Sequence, residues 1–316
     1  MRLPASRIGL ILRRLLIALR NARDFVVAQV IFATLTILRL FPAEKALSAI
    51  DRMARFIGPL TPRQKLVMAN LANAFPEMTE TERRAISEDM WASMGRLAGE
   101  YVFLDQLFDY DPARDGEGRI DVSGVPIFVD LLHNPRPFIV FTAHTGNFEL
   151  LPIAAATFGL NVTVLFRPPN NPYVARRLFE ARRLKSGQLV PSHAGAAWQL
   201  ANALEAGNGV GMLVDQKFKK GLKTRFFGQP VQTNPLLAKL VRQYECDVYP
   251  ARSIRMPDGR FRLEIEPAIT IPRHDDGSVD VDATSQLLND KVERWVREYP
   301  GQWQWFHDRW HIRKTL

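Results

Sequence analysis

Phe138-Ile139-Val140-Phe141-Thr142-Ala143-His144-Thr145-Gly146-Asn147-Phe148-Glu149 is the stretch whose reading decides the fold. Its first six residues form a short apolar run, the mark of a strand covered on both faces. Similar runs lie at 162–166 and 210–214, and helical patterns separate them at 148–158, 173–184 and 196–206, the last closing on Gly207 as a C-cap. Strands alternating with helices predict an α/β fold: a central mixed, largely parallel sheet flanked by helices and joined by right-handed crossovers. Residues 261–265 alternate apolar and charged side chains, which predicts an edge strand. A closing helix sets Leu288, Val292, Trp295 and Tyr299 on one side.

Working back toward the N-terminus, residues 60–103 repeat apolar side chains at helical spacing, and Thr79 or Thr81 can cap the second helix. A polar, turn-rich break at 109–119 separates this helical part from the sheet. The expected organisation is a membrane-associated region at 1–45 and one domain at 46–316, with a helical portion at 46–108 and an α/β portion at 120–316.

The chain of 316 residues carries a formal charge of +9, unevenly spread. Residues 1–50 hold eight basic side chains against two acidic ones, interleaved with leucine and isoleucine at 8–19. Such asymmetry calls for a polyanionic partner, and the apolar residues between the charges favour an anionic membrane face over nucleic acid. Residues 25–38 then run fourteen positions without a charge before Arg39, short of the roughly 20 that a spanning helix needs. Spanning and lying in the interface both stay open, and no small-x-small site follows that would mark a cleaved leader. The single cysteine, Cys246, excludes an intrachain disulfide and a multi-cysteine zinc site, so no metal is expected.

The chemistry concentrates after the 138–143 strand. In α/β sheets ligands gather beyond the carboxyl ends of the strands, and His144 stands there with a side chain suited to taking a proton near neutral pH. Glu149 follows five residues later, past a tight Gly146-Asn147 turn that opens a helix. That spacing can fold its carboxylate back against the far ring nitrogen, fixing the tautomer and stabilising the imidazolium as it forms. A capping turn with an unengaged histidine is the plainer alternative.

His144 and Glu149, spaced His-x4-Glu behind a buried strand, resemble the signature shared by glycerolipid acyltransferases and the late acyltransferases of lipid A biosynthesis, the lauroyl and myristoyl transferases. The likeness to the lipid A group extends to Phe166-Arg167-Pro168-Pro169-Asn170-Asn171-Pro172 and to Leu213-Val214-Asp215-Gln216, followed by a basic stretch and Phe226-Phe227-Gly228. It continues in Asn70-Leu71 through Phe75-Pro76-Glu77 and in the tail from Pro300 to Trp310, and so covers nearly the whole chain. Where the glycerolipid branch carries a Pro-Glu-Gly-Thr-type motif, this chain has Asp215-Gln216.

The resemblance implies an O-acyltransferase at the cytoplasmic face of a bacterial inner membrane. It moves a fatty acyl chain from an acyl carrier protein thioester to a hydroxyl, or hydroxyacyl chain, of a lipid A precursor. No cofactor is implied, because a thioester is already activated. His144 and Glu149 would be catalytic, the backbone amides near Gly146 and Asn147 would receive the oxyanion, and Arg167, Asn171, Asp215, Gln216 and Lys217 would meet substrate. Arg167 offers a planar fork suited to phosphate; Asp215 could hold a basic side chain or an acceptor hydroxyl.

Two basic clusters, Arg176, Arg177, Arg182, Arg183, Lys185 and Lys217, Lys219, Lys220, Lys223, Arg225, could face the acidic carrier, lipid phosphates or the membrane. A solvated helix face explains the first cluster equally well. The tryptophans at 303, 305 and 310 fit either the membrane interface or the core. Two other functions remain: the same chemistry on another glycolipid such as a phosphatidylinositol mannoside, and a non-catalytic basic protein of membrane surfaces or nucleic acid.

Overall fold

A computed structural model describes residues 7–111, 118–183, 187–192 and 195–312. Lys185 and most of the 109–119 break lie outside them. Helix α1 (Arg7–Leu38) joins the two expected N-terminal segments into one helix. Among the described residues no helix is long and apolar enough to cross a membrane. Helices α2 (Ala43–Ile57), α3 (Gln64–Ala74), α4 (Glu80–Glu100) and α5 (Leu104–Leu107) follow. Thr79 caps α4 in a reciprocal box with Glu82: the Glu82 N–H donates to the Thr79 hydroxyl at 3.3 Å, and the Thr79 N–H donates to the Glu82 carboxylate at 2.7 Å.

The remaining chain alternates β1 (Ile120–Ser123), α6 (Val125–His133), β2 (Phe138–Thr142), α7 (Leu150–Thr157), β3 (Val162–Phe166), α8 (Pro172–Arg183), β4 (Gln188–Pro191), α9 (Ala196–Glu205) and β5 (Gly209–Leu213). An antiparallel hairpin of β6 (Lys217–Phe226) and β7 (Gln229–Thr233) interrupts the alternation. Then come α10 (Leu236–Tyr244), β8 (Asp247–Arg255), β9 (Phe261–Ile265) and α11 (Val281–Glu298).

Seven strands form one mixed sheet in the order β1-β9-β8-β2-β5-β3-β4, every neighbouring pair parallel except β8 with β9. The apolar runs occupy its middle. Ile139, Phe141, Val210, Met212 and Val248 pack on one face with side chains of α3, α9, α10 and α11. Phe138, Val162, Tyr249 and Ala251 pack on the other with α6 and α7. A strand covered twice can be apolar throughout, which is why these runs lack alternation.

Residues 261–265 do not form an edge. The four-residue β1 pairs outside β9, from Ile120↔Phe261 to Ser123↔Glu264. The alternation has another cause: Phe261, Leu263 and Ile265 are buried, while Glu264 on the opposite face accepts a hydrogen bond from the Arg252 guanidinium at 2.6 Å. The tail tryptophans belong to the core. Trp303 and Trp305 are 1% and 0% exposed, and they meet edge to face with centroids 4.7 Å apart.

Candidate active site

Parallel register brings the ends of β2, β5 and β3 to one edge of the sheet. Thr142 pairs with Leu213, so His144 and Asp215 lie side by side two residues beyond. There the Asp215 carboxylate, 3% exposed, accepts from His144 Nδ1 at 2.7 Å through one oxygen and from the His144 backbone N–H at 3.0 Å through the other. The indole N–H of Trp303 donates to that second oxygen as well, at 2.8 Å. Burial alone would drive this carboxyl's pKa up. The charge of the His144 ring and the three donors outweigh it and hold the group well below the usual carboxylate range. Asp215 is therefore a buried anion anchored beneath the imidazole.

The carboxylate that meets the His144 ring is thus Asp215 and not Glu149. The two ring nitrogens are engaged by Asp215 and Gln216, whereas Glu149 receives the Tyr101 hydroxyl at 2.5 Å. Glu149 ends the turn ahead of α7 and is among the residues lining an apolar cavity. His144 Nε2 faces the Gln216 carboxamide nitrogen at 3.1 Å. With Nδ1–H committed to Asp215, the neutral ring carries its lone pair on Nε2, the arrangement a general base requires.

The turn itself is built for close approach. Gly146 has φ +55°, and a Cβ there would run into the Ser253 carbonyl oxygen, so glycine is required on both counts. Its N–H donates to the Gln302 carbonyl at 3.1 Å, which removes Gly146 from the expected oxyanion donors. Asn147, 1% exposed, donates from Nδ2 to Glu100 at 3.0 Å and accepts from the Glu149 N–H at 3.2 Å. Glu100 in turn holds Arg255 in a buried pair at 2.7 Å, so α4, β8 and the tail brace the turn together.

Other expected contacts divide. Arg167, exposed one residue past β3, forms no ion pair among the described residues; it stands two strands from β2, roughly 10 Å away by strand spacing. Asn171 is occupied structurally: its side chain accepts from the Tyr173 and Val174 N–H groups, capping α8, and donates to the Asp24 carbonyl at 2.7 Å. Lys217 pairs with Asp308 at 2.9 Å. Lys219, Lys220 and Lys223 are exposed on β6, and on α8 Arg176 pairs with Glu180 while Arg177 lies over the Phe32 ring of α1. Cys246 is buried, and burial pushes its thiol up to about 11, an inert group.

Beside the histidine a cavity opens between the sheet and the α6–α7 layer. Phe148, Glu149 and Thr142 stand among its lining residues, and Val140, Leu151, Val164, Gly211, Leu131 and Phe128 continue the wall. Apart from Glu149, Thr142 and Glu264 the lining is apolar or glycine. An imidazole with its lone pair on Nε2, beside an apolar cavity, has the geometry to take a proton from a hydroxyl next to an apolar chain.

A profile of the bacterial lipid A biosynthesis acyltransferases matches residues 15–312. The chain is 24% identical over 262 residues to the lipid A biosynthesis myristoyltransferase of Escherichia coli (strain K12), covering 81% of this chain and 78% of that one. It is 22% identical to lipid A biosynthesis acyltransferase 2 of Shigella flexneri over 84% and 83% of the two chains. With the lipid A biosynthesis lauroyltransferase of Escherichia coli (strain K12) it shares 25% over 79% and 80%. The chain belongs to the bacterial lipid A biosynthesis acyltransferase family.

Proposed function

We propose that this acyltransferase moves a fatty acyl group from an acyl carrier protein thioester to a hydroxyl of a lipid A precursor, at the cytoplasmic face of a bacterial inner membrane. The observation that carries the reading is the His144–Asp215 pair beside the apolar cavity. The acyl chain lies in the cavity with its thioester near Glu149 and Phe148. The acceptor hydroxyl reaches His144 Nε2, which removes its proton as the oxygen attacks the thioester carbon. Asp215 stabilises the imidazolium as it forms. The proton then passes to the departing thiolate.

Arg167, exposed at the same sheet edge, receives a phosphate of the acceptor or of the carrier's phosphopantetheine arm. Helix α1 lies in the headgroup plane. Its exposed Leu15, Leu16, Leu19, Val26, Val27 and Val30, interleaved with Arg13, Arg14, Arg20 and Arg23, support that placement. Such an attachment leaves the domain on the carrier's side of the membrane without a spanning segment.

The test is transfer of laurate from its acyl carrier protein thioester to a purified lipid A precursor, followed by mass spectrometry. His144→Ala is expected to lower the rate by roughly 10²- to 10⁴-fold, the usual share of general base catalysis. Undiminished transfer by the folded variant would overturn the reading.

A further inference from the structure

The nitrogen of His144 that must take a proton is already engaged. Because Nδ1–H donates to Asp215, the lone pair of the neutral ring sits on Nε2, and the Gln216 amide donates to it at 3.1 Å. Asp215 and Gln216 are consecutive, so the end of β5 supplies partners to both ring nitrogens. The His144 side chain retains 15% exposure, enough for water to reach a ring left open. A base whose lone pair is held in a hydrogen bond accepts no proton until that bond opens.

We propose that Gln216 is a positioning residue that caps the base against water until an acceptor hydroxyl displaces it, and so suppresses hydrolysis of the bound acyl thioester. The proposal rests on His144 being the base. In hydrolysis a water oxygen bonds to the acyl carbon and its proton passes to Nε2. The carbon–sulfur bond then breaks, and the thiolate collects the proton, leaving a fatty acid and a free thiol. Transfer follows the same steps with an alcohol oxygen and ends in an ester. Both routes need the Nε2 lone pair. They differ in what opens the Gln216 bond: a large acceptor anchored elsewhere in the site brings binding energy to that task, and a lone water brings none.

The experiment uses the full chain with lauroyl–acyl carrier protein. Thiol release is measured without acceptor, and ester formation with a purified lipid A precursor. Gln216→Met keeps the side chain's bulk without its donors, and Gln216→Ala removes both. Each is expected to raise the ratio of hydrolysis to transfer by roughly 2- to 10-fold, the factor for one net hydrogen bond. The ratio is insensitive to the fraction of protein that folds. Gln216→Glu places a carboxylate beside Nε2, favours the charged ring, and is expected to move the acid limb of the transfer pH profile upward. In ¹⁵N-histidine-labelled protein, the His144 Nε2 resonance of Gln216→Met is expected to shift to that of a lone pair without a donor. A ratio unchanged or lowered in both variants, or an unmoved resonance, overturns the cap. His144→Ala separates the two readings: loss of both reactions leaves the base in place whatever Gln216 does, and their survival removes the base itself.

Discussion

Three donors converge on the Asp215 carboxylate: the backbone N–H and Nδ1–H of His144 and the indole of Trp303. Asp215→Asn keeps the shape but replaces one acceptor oxygen with a donor. The new amide N–H would confront Nδ1 and favour the tautomer with the proton on Nε2, where it disables the base. Asp215→Asn is expected to lower kcat by about 10⁴-fold with little change in KM, measured in the transfer assay on protein of wild-type circular dichroism. Glu149→Gln, which leaves the ring's partners intact, is expected to cost less. A larger loss for Glu149→Gln than for Asp215→Asn would return the orienting role to Glu149. The histidine is legible from its place after an apolar strand, whereas its partner is not. Asp215 lies 71 residues away, and only the parallel pairing of β2 with β5 sets them together. Local spacing points instead to the carboxylate nearest in sequence. The sequence signals for Asp215 are its place directly after the apolar run 210–214 and the likeness carried by Leu213-Val214-Asp215-Gln216.

At the scale of elements, the fully covered strands β2, β3 and β5 and the helices between them can be read from the chain, because burial on both faces leaves a continuous apolar run. The short β1 and β4 cannot, since four residues carry too little pattern, nor can the β6–β7 hairpin, where exposed Lys219, Lys220, Lys223 and Arg225 stand beside exposed Phe218 and Pro230. Yet the sheet's inner strands also wall the apolar cavity. Gly211 of β5 is part of the cavity wall, and a Cβ added there would meet a Val164 methyl at 3.2 Å, tight but against a side-chain tip. Gly211→Val would therefore fill cavity space without breaking the strand, and β-branched side chains suit that backbone. The variant is expected to favour acyl chains about two to four carbons shorter than wild type, because each excluded methylene is worth roughly 1–3 kcal/mol of discrimination. Competition between acyl–carrier thioesters of graded length, read by mass spectrometry of the product, measures this. An identical chain-length profile in both proteins would show that the acyl group lies elsewhere.

Over the whole molecule, the tail acts as a strap beneath the site. Asn70 of α3 donates to the Trp305 and His307 carbonyls at 2.7 and 2.8 Å, Trp303 holds Asp215, and Asp308 holds Lys217. His307 lies at the centre of this strap, accepting at Nε2 from the Lys217 N–H at 3.3 Å. Burial lowers its pKa to about 4, and the positive charges of His144, Lys217 and Arg309 add to that effect against the opposing pull of Asp215. An unfolded histidine titrates near 6.5. Between these two values the unfolded chain binds more protons than the folded one, so stability falls as pH falls across that window and is fully restored above it. His307→Gln keeps an acceptor for the Lys217 N–H and has no proton to gain. Thermal melting from pH 7.5 to 4.5 is expected to show wild-type Tm dropping more steeply below pH 6.5 than that of the variant. Because the strap carries Trp303, the same acidification loosens Asp215, and transfer by wild type is expected to fall off earlier on the acid side than transfer by His307→Gln. Parallel melting curves for the two proteins would mean that His307 is protonated as readily in the fold as outside it, and that the strap is held by its other contacts alone.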